Sequence, residues 1–147
     1  VRQFTTTKFD AITAVLNYAG YDWSSLPKHR RSIYRFTWRG IADPFMEALD
    51  FPDMGLLTPV RGFSASPLQS LSLYNNAFVL HFSEELAKQV EATEHDVPAQ
   101  VHAVVLRVLL REPGADEWQA FTHYAQAHGL AALCRVLLNS NEFLFVN

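Results

Sequence analysis

The chain has 147 residues, 49% hydrophobic and 18% charged, a balance that supports a folded core and excludes a disordered chain. Twelve Lys and Arg against fifteen Asp and Glu leave a formal charge of −3, which excludes a general nucleic-acid binder. The single cysteine, Cys134, excludes an internal disulfide, a Cys-based zinc site and a C-x-x-C-H haem attachment, and the apolar runs are too short for a membrane span.

The chain opens Val1-Arg2-Gln3-Phe4-Thr5, with neither an initiator Met nor a signal-peptide pattern, and reads as a piece of a larger protein. Thr5 to Thr7 offer N-caps for a helix through Phe9, Ile12, Val15 and Leu16, with Gly20 placed to end it. Residues 21–27 read as a loop. The segment 28–39 holds five of the twelve Lys and Arg residues. As a strand it sets Tyr34, Phe36 and Trp38 on one face and Arg31, Arg35 and Arg39 on the other; as a helix the same arginines still align. The stripe suits an anion such as phosphate, sulfate or an acidic glycan, and equally suits arginines paired with the chain's own carboxylates.

Asp43-Pro44 gives a cap followed by proline, predicting a short helix to Leu49 that stops before Pro52. Residues 50–65 hold two Pro and two Gly with little period and read as one long ordered loop. The clearest helix start is Ser66-Pro67-Leu68-Gln69: Ser66 caps, Pro67 takes the first turn and Gln69 can close a capping box. That helix ends at Asn75-Asn76, where a second begins, from about Ala77 to Glu91, with Phe78, Val79, Phe82, Leu86 and Val90 on its apolar face. Glu84 and Lys88 make a favourable i,i+4 pair on it. Asp96 caps a largely buried helix carrying Val101, Val104, Val105, Val108 and Leu109. Gly114 to Asp116 opens another, to Gly129, with Trp118, Phe121 and Ala125. Leu130, Leu133, Cys134 and Leu137 form the stripe of a last helix, broken at Asn139-Ser140-Asn141 before a short apolar tail. The expectation is a mainly α single domain over 1–147, a compact bundle of about six helices with the long loop near 50–65 and room for one short strand near 31–38.

Few side-chain constellations carry chemistry. Gly62-Phe63-Ser64-Ala65-Ser66 lacks the closing Gly of a nucleophile elbow, and capping accounts for Ser66. His81 with Glu84 or Glu85 could share a metal from one helical turn, so His81 and Glu85 are the metal candidates; a solvated polar face explains them as well. His102, in the most apolar helix, could serve as a haem ligand or as a boundary histidine, with the latter the commoner case. Cys134 sits among leucines and reads as an inert buried thiol. No catalytic residue is proposed.

Several segments together carry a resemblance: Arg2-Gln3-Phe4-Thr5, Phe9-Asp10-Ala11, Arg30 to Tyr34, Phe51-Pro52-Asp53, Thr58-Pro59-Val60-Arg61, Ser66 to Gln69, Leu73 to Asn76, Val108 to Pro113 and Leu137 to Leu144. In this order they resemble the uncharacterised C-terminal domain, a domain of unknown function, of the large planctomycete-type proteins that carry cytochrome c domains. Gly62-Phe63-Ser64-Ala65 departs from the more polar run usual there. The resemblance implies an extracytoplasmic (periplasmic, envelope or secreted) multidomain parent and a cytochrome-c- and carbohydrate-associated context. It also implies no cofactor in this chain itself, with covalent haem on a separate upstream domain. Partners are then the parent's other domains and, through the arginine stripe, an acidic glycan. The matching polar positions are binding candidates: Arg31, Ser32, Tyr34, Thr58, Arg61 and Gln69, then Asn75, Asn76, Asn139 and Asn141, with Arg35 added from the stripe. The leading expectation is a non-catalytic structural and interaction module. The alternative is the end of a redox or polysaccharide-acting enzyme whose centre lies upstream, with Arg31, Tyr34, Thr58 and Arg61 lining a shared pocket.

Overall fold

The computed structural model describes residues 6–10, 13–16, 43–52 and 66–145. The chain divides into two compact units, 1–72 and 73–147. The described residues are mainly α-helical, as the periodicity predicts, with seven helices among them against about six expected.

In the first unit, β1 (Thr6–Asp10) and β2 (Thr13–Leu16) form an antiparallel pair in which Phe9 faces Ala14 and Asp10 faces Thr13, with an irregularity between Thr6 and Lys8. This corrects the helix expected from Thr5 to Gly20. The spacing of Phe9, Ile12, Val15 and Leu16 matches a helical stripe. The same stretch is rich in Thr and other β-branched residues, whose restricted rotamers favour an extended chain, and that preference prevails over the spacing. The α1 helix (Pro44–Ala48) begins as predicted: Asp43 Oδ1 accepts from the Phe45 N–H at 3.0 Å, with Pro44 in the first turn. It ends at Asp50, in the left-handed region at φ 55°, where the Phe51 N–H folds back to the Met46 carbonyl at 3.1 Å. The long loop expected over 50–65 and the strand expected near 31–38 lie mostly or wholly outside the described residues.

The division between the units falls inside α2 (Pro67–Asn75), so its last turn, from Leu73, belongs to the second unit. Ser66 Oγ caps α2 by accepting from the Gln69 N–H at 3.1 Å. In the second unit, α3 (Ala77–Glu91), α4 (Val97–Leu109), α5 (Ala115–His128), α6 (Leu130–Leu138) and α7 (Asn141–Leu144) follow with short connections. Asn76 caps α3 through the Phe78 N–H at 2.9 Å, and Asp96 caps α4 through the Ala99 N–H at 3.4 Å.

The core of this unit is a set of aliphatic stripes at helical spacing. Leu130, Leu133, Cys134 and Leu137 of α6 are buried, as are Val101, Val104 and Val105 of α4 and Val79, Ser83, Ala87 and Val90 of α3. α6 is the hub, packing against α3, α4, α5 and α7. Its pairing with α3 is the most extensive, and α3 offers it small residues at Ser83 and Ala87. The buried Ser83 hydroxyl is satisfied within its own helix, donating to the Val79 carbonyl at 2.6 Å. One glycine, Gly129, at φ 90°, closes α5 and opens α6, a backbone state that side chains disfavour. Truncating the fully buried Leu133 to Ala removes side-chain contact at the hub, so chemical denaturation should find the variant about 2–5 kcal/mol less stable.

Candidate functional site

The densest cluster of charged groups in the second unit sits where α4 turns into α5. Leu110 ends α4 in the left-handed conformation, φ 57° and ψ 28°, and its side chain is 84% exposed. That turn aims Arg111 at two carboxylates. Nη1 and Nη2 donate to Glu117 Oε2 and Oε1 at 2.7 and 2.8 Å. Nε and Nη2 donate to Glu142 Oε1 and Oε2 at 2.6 and 2.9 Å. A further Nη1 bond runs to the Glu112 carbonyl at 3.0 Å. Every N–H of the guanidinium is therefore used, in two fork-to-fork pairs and one backbone contact. The arrangement ties the end of α4 to the first turn of α5 and to α7.

Glu117 also serves the helix it stands on. Gly114 occupies the cap of α5 without a side chain, and Glu117 Oε2 reaches back to accept from the Gly114 N–H at 2.9 Å. Alongside, His102 Nε2 pairs with Glu112 Oε2, and the His102 ring lies 6.2 Å from that of Trp118, itself 40% exposed. Leu106, one turn before Leu110, is 42% exposed, so apolar and ionic groups share this corner.

Hydrogen bonds from Arg111, and then from the Gly114 N–H, hold the Glu117 carboxyl down to about 2 from its ordinary 4.5. Hydrogen bonds from Arg111 lower Glu142 as well. Arg111 is in turn raised by its bonds to Glu117 and Glu142 and stays charged throughout. These side chains remain 36%, 39% and 47% exposed for Arg111, Glu117 and Glu142, so solvent screens them. Burial pushes the Cys134 thiol up to about 12, in keeping with the inert thiol expected of it.

A second polar cluster joins α6 to the end of α2. Arg135 Nε donates to the Tyr74 carbonyl at 2.8 Å, Nη2 approaches Asn75 Oδ1 at 3.4 Å, and the guanidinium lies 3.7 Å above the Tyr74 ring. A carbonyl left open where α2 stops is thereby answered by a cation from another helix.

The binding candidates fall at different helix ends. Gln69 gives its backbone N–H to the Ser66 cap, Asn75 meets Arg135, and Asn76 caps α3. Asn139 closes α6, with a buried Nδ2 that has no hydrogen-bond partner among the described residues, and Asn141 opens α7. Arg31, Ser32, Tyr34, Arg35, Thr58 and Arg61 lie outside the described residues. Of the metal candidates, Glu85 takes an ion pair from Lys88 at 2.9 Å, so the lysine's close partner is Glu85 and not the Glu84 that spacing suggested; the His81 ring packs against Phe82. No group of three metal-binding side chains gathers among the described residues, and no described helix is long and apolar enough to cross a membrane.

The Arg111 ion-pair cluster, the Arg135 cluster and the aliphatic stripes belong to a mainly helical fold in which both arginines join helix ends. A family model described as PSD1, Protein of unknown function (DUF1553), matches residues 6–125, and the chain belongs to that family. The match takes in Arg111, Glu112 and Glu117 and stops short of Glu142. No curated protein and no solved structure matches the chain.

Acid should expose the contribution of the Arg111 cluster. A carboxylate held below its unfolded pKa stabilises the fold above that value and loses the contribution as pH falls through the folded one. For Glu117 the window runs from about 4.5 down to about 2. Glu117→Gln should therefore lower stability at neutral pH and flatten the pH dependence across that window, as followed by denaturation midpoints.

Proposed function

We propose that the chain is a non-catalytic structural and interaction module of a large extracytoplasmic protein, packing against that protein's other domains. On this reading the parent is of the planctomycete type with a cytochrome c domain, and covalent haem sits on that separate domain.

Leu110 is the observation that carries the packing role. A left-handed residue other than glycine costs roughly 1–2 kcal/mol, and a leucine left in water gains nothing from burial to offset it. Glycine would serve the turn better and leave no apolar group in solvent. With Leu106 and Trp118 also exposed nearby in sequence on α4 and α5, the corner offers apolar surface beside polar groups, the composition of a contact between domains. Keeping a side chain at a cost to the isolated fold is what an interface residue does.

The isolated chain and the parent should therefore respond in opposite directions to Leu110→Gly. The isolated chain should gain about 1 kcal/mol in urea denaturation, from relief of the backbone. The intact parent should show faster proteolysis between this domain and its neighbours, and Leu106→Ser should do the same. Unchanged domain protection in both variants would refute the packing role. The visible spectrum of the parent tests the context separately: a haem Soret band supports it, and a colourless parent removes the cytochrome part.

A further inference from the structure

The last helix is too short to hold itself. Four residues close a single turn, far below the length at which a helix is stable alone. Ser140 Oγ caps it through the Phe143 N–H at 3.3 Å, and the Leu144 and Phe145 N–H groups donate to the Ser140 and Asn141 carbonyls at 3.1 and 2.9 Å. None of its residues is buried, and Phe143 is 42% exposed. It packs against α4 and α6, and Ser140 donates its N–H and Oγ–H to the Leu137 carbonyl at 3.0 and 2.7 Å. The side-chain bonds that reach it from beyond α6, among the described residues, are the pair from Arg111 to Glu142.

Arg111 does not depend on Glu142 in return. Glu117 grips the adjoining Nη1–Nη2 edge of the guanidinium with two bonds, and the Glu112 carbonyl adds a third. The Nε and Nη2 edge therefore remains aimed for a carboxylate whether or not Glu142 occupies it, and that readiness lowers the ordering cost of binding one. The adjoining residue, Leu110, is 84% exposed.

We propose that residues 140–145 are an autoinhibitory strap. Glu142 fills, from within the chain, an Arg111 edge that on opening receives the carboxylate of an acidic peptide. The partner chemistry is an acidic residue followed by an apolar one, the pattern of Glu142-Phe143-Leu144 itself. The charge match is direct, cation edge to carboxylate, and the exposed Leu110 offers the apolar neighbour a surface. The strap shares the exposed Leu110 with the domain-packing reading. Its test reads α7 and Arg111, whereas the packing role is read by Leu110→Gly in the parent, so the two fail separately.

The test uses the full 147-residue chain in solution. Amide exchange is followed at Phe143, Leu144 and Phe145 in the strap and at Leu133 and Leu137 in the core, together with the Arg111 Nε–H resonance. In the wild type, raising salt should speed exchange of the strap amides severalfold and leave the core amides unchanged, since salt screens exposed ion pairs. In Glu142→Ala the strap amides should lose protection while the core keeps it. The Arg111 Nε–H of that variant should shift on adding the peptide acetyl-Asn-Glu-Phe-Leu-amide, and not with its Gln counterpart. The wild type should need more of the peptide for the same shift. Strap amides that exchange together with the core at every salt concentration would overturn the strap. An Arg111 resonance in Glu142→Ala indifferent to the acidic peptide would overturn the receptor. If Glu142→Ala unfolds, its core amides report that directly, a result that itself refutes a strap opening independently of the core.

Discussion

The second unit depends on keeping one face of α6 out of water. Leu130, Leu133, Cys134 and Leu137 supply that face, and α3, α4, α5 and α7 each pack against the helix that carries it. Burial of apolar surface has no preferred direction, so it explains why the helices gather and not how each one ends. Direction comes from hydrogen bonds at the helix termini, where backbone groups lack partners within the helix. Asn76, Asp96 and Ser140 answer those groups from the adjoining residue, whereas Arg135 and Glu117 answer them from farther away. Core and corners thus divide the work between an undirected force and a directed one.

The boundaries of α3, α4, α5 and α6 were legible because their signals are local. A cap acts over two or three residues, and a buried stripe repeats over one turn, so both are written in a short window of sequence. The N-terminal segment shows the limit of that approach. Phe9, Ile12, Val15 and Leu16 fit a helical period, but pairing with a second strand is a contact between segments that a single-window count does not weigh. Asn75 and Asn76 stand where α2 ends and α3 begins, as the local pattern predicts.

The Arg111 cluster has no signature in a short window for a related reason. Its partner Glu142 lies thirty-one positions along the chain, a separation that carries no periodic signature. Half of the cluster was nevertheless readable. Gly114 opens α5 with no side chain to cap it, and Glu117 stands at the third position, where a carboxylate reaches back to the cap. An arginine just before such a pair is a natural partner. The Arg135 clamp offered no comparable sign, since a cation stacked on Tyr74 depends on how α6 lies against the end of α2.

The single residue between α5 and α6 gives the fold a mechanical property. Gly129 closes one helix and opens the next, leaving no slack between them, and a Cβ there would meet nothing within 4 Å. The constraint lies in the backbone torsion and not in the space around it. The two helices consequently behave like parts of a crankshaft: the angular phase of one is passed to the other. One extra residue turns a helix by about 100° and would swing the α6 stripe from the core toward solvent. Change in length is therefore better absorbed elsewhere, and this joint acts as the timing mark of the bundle.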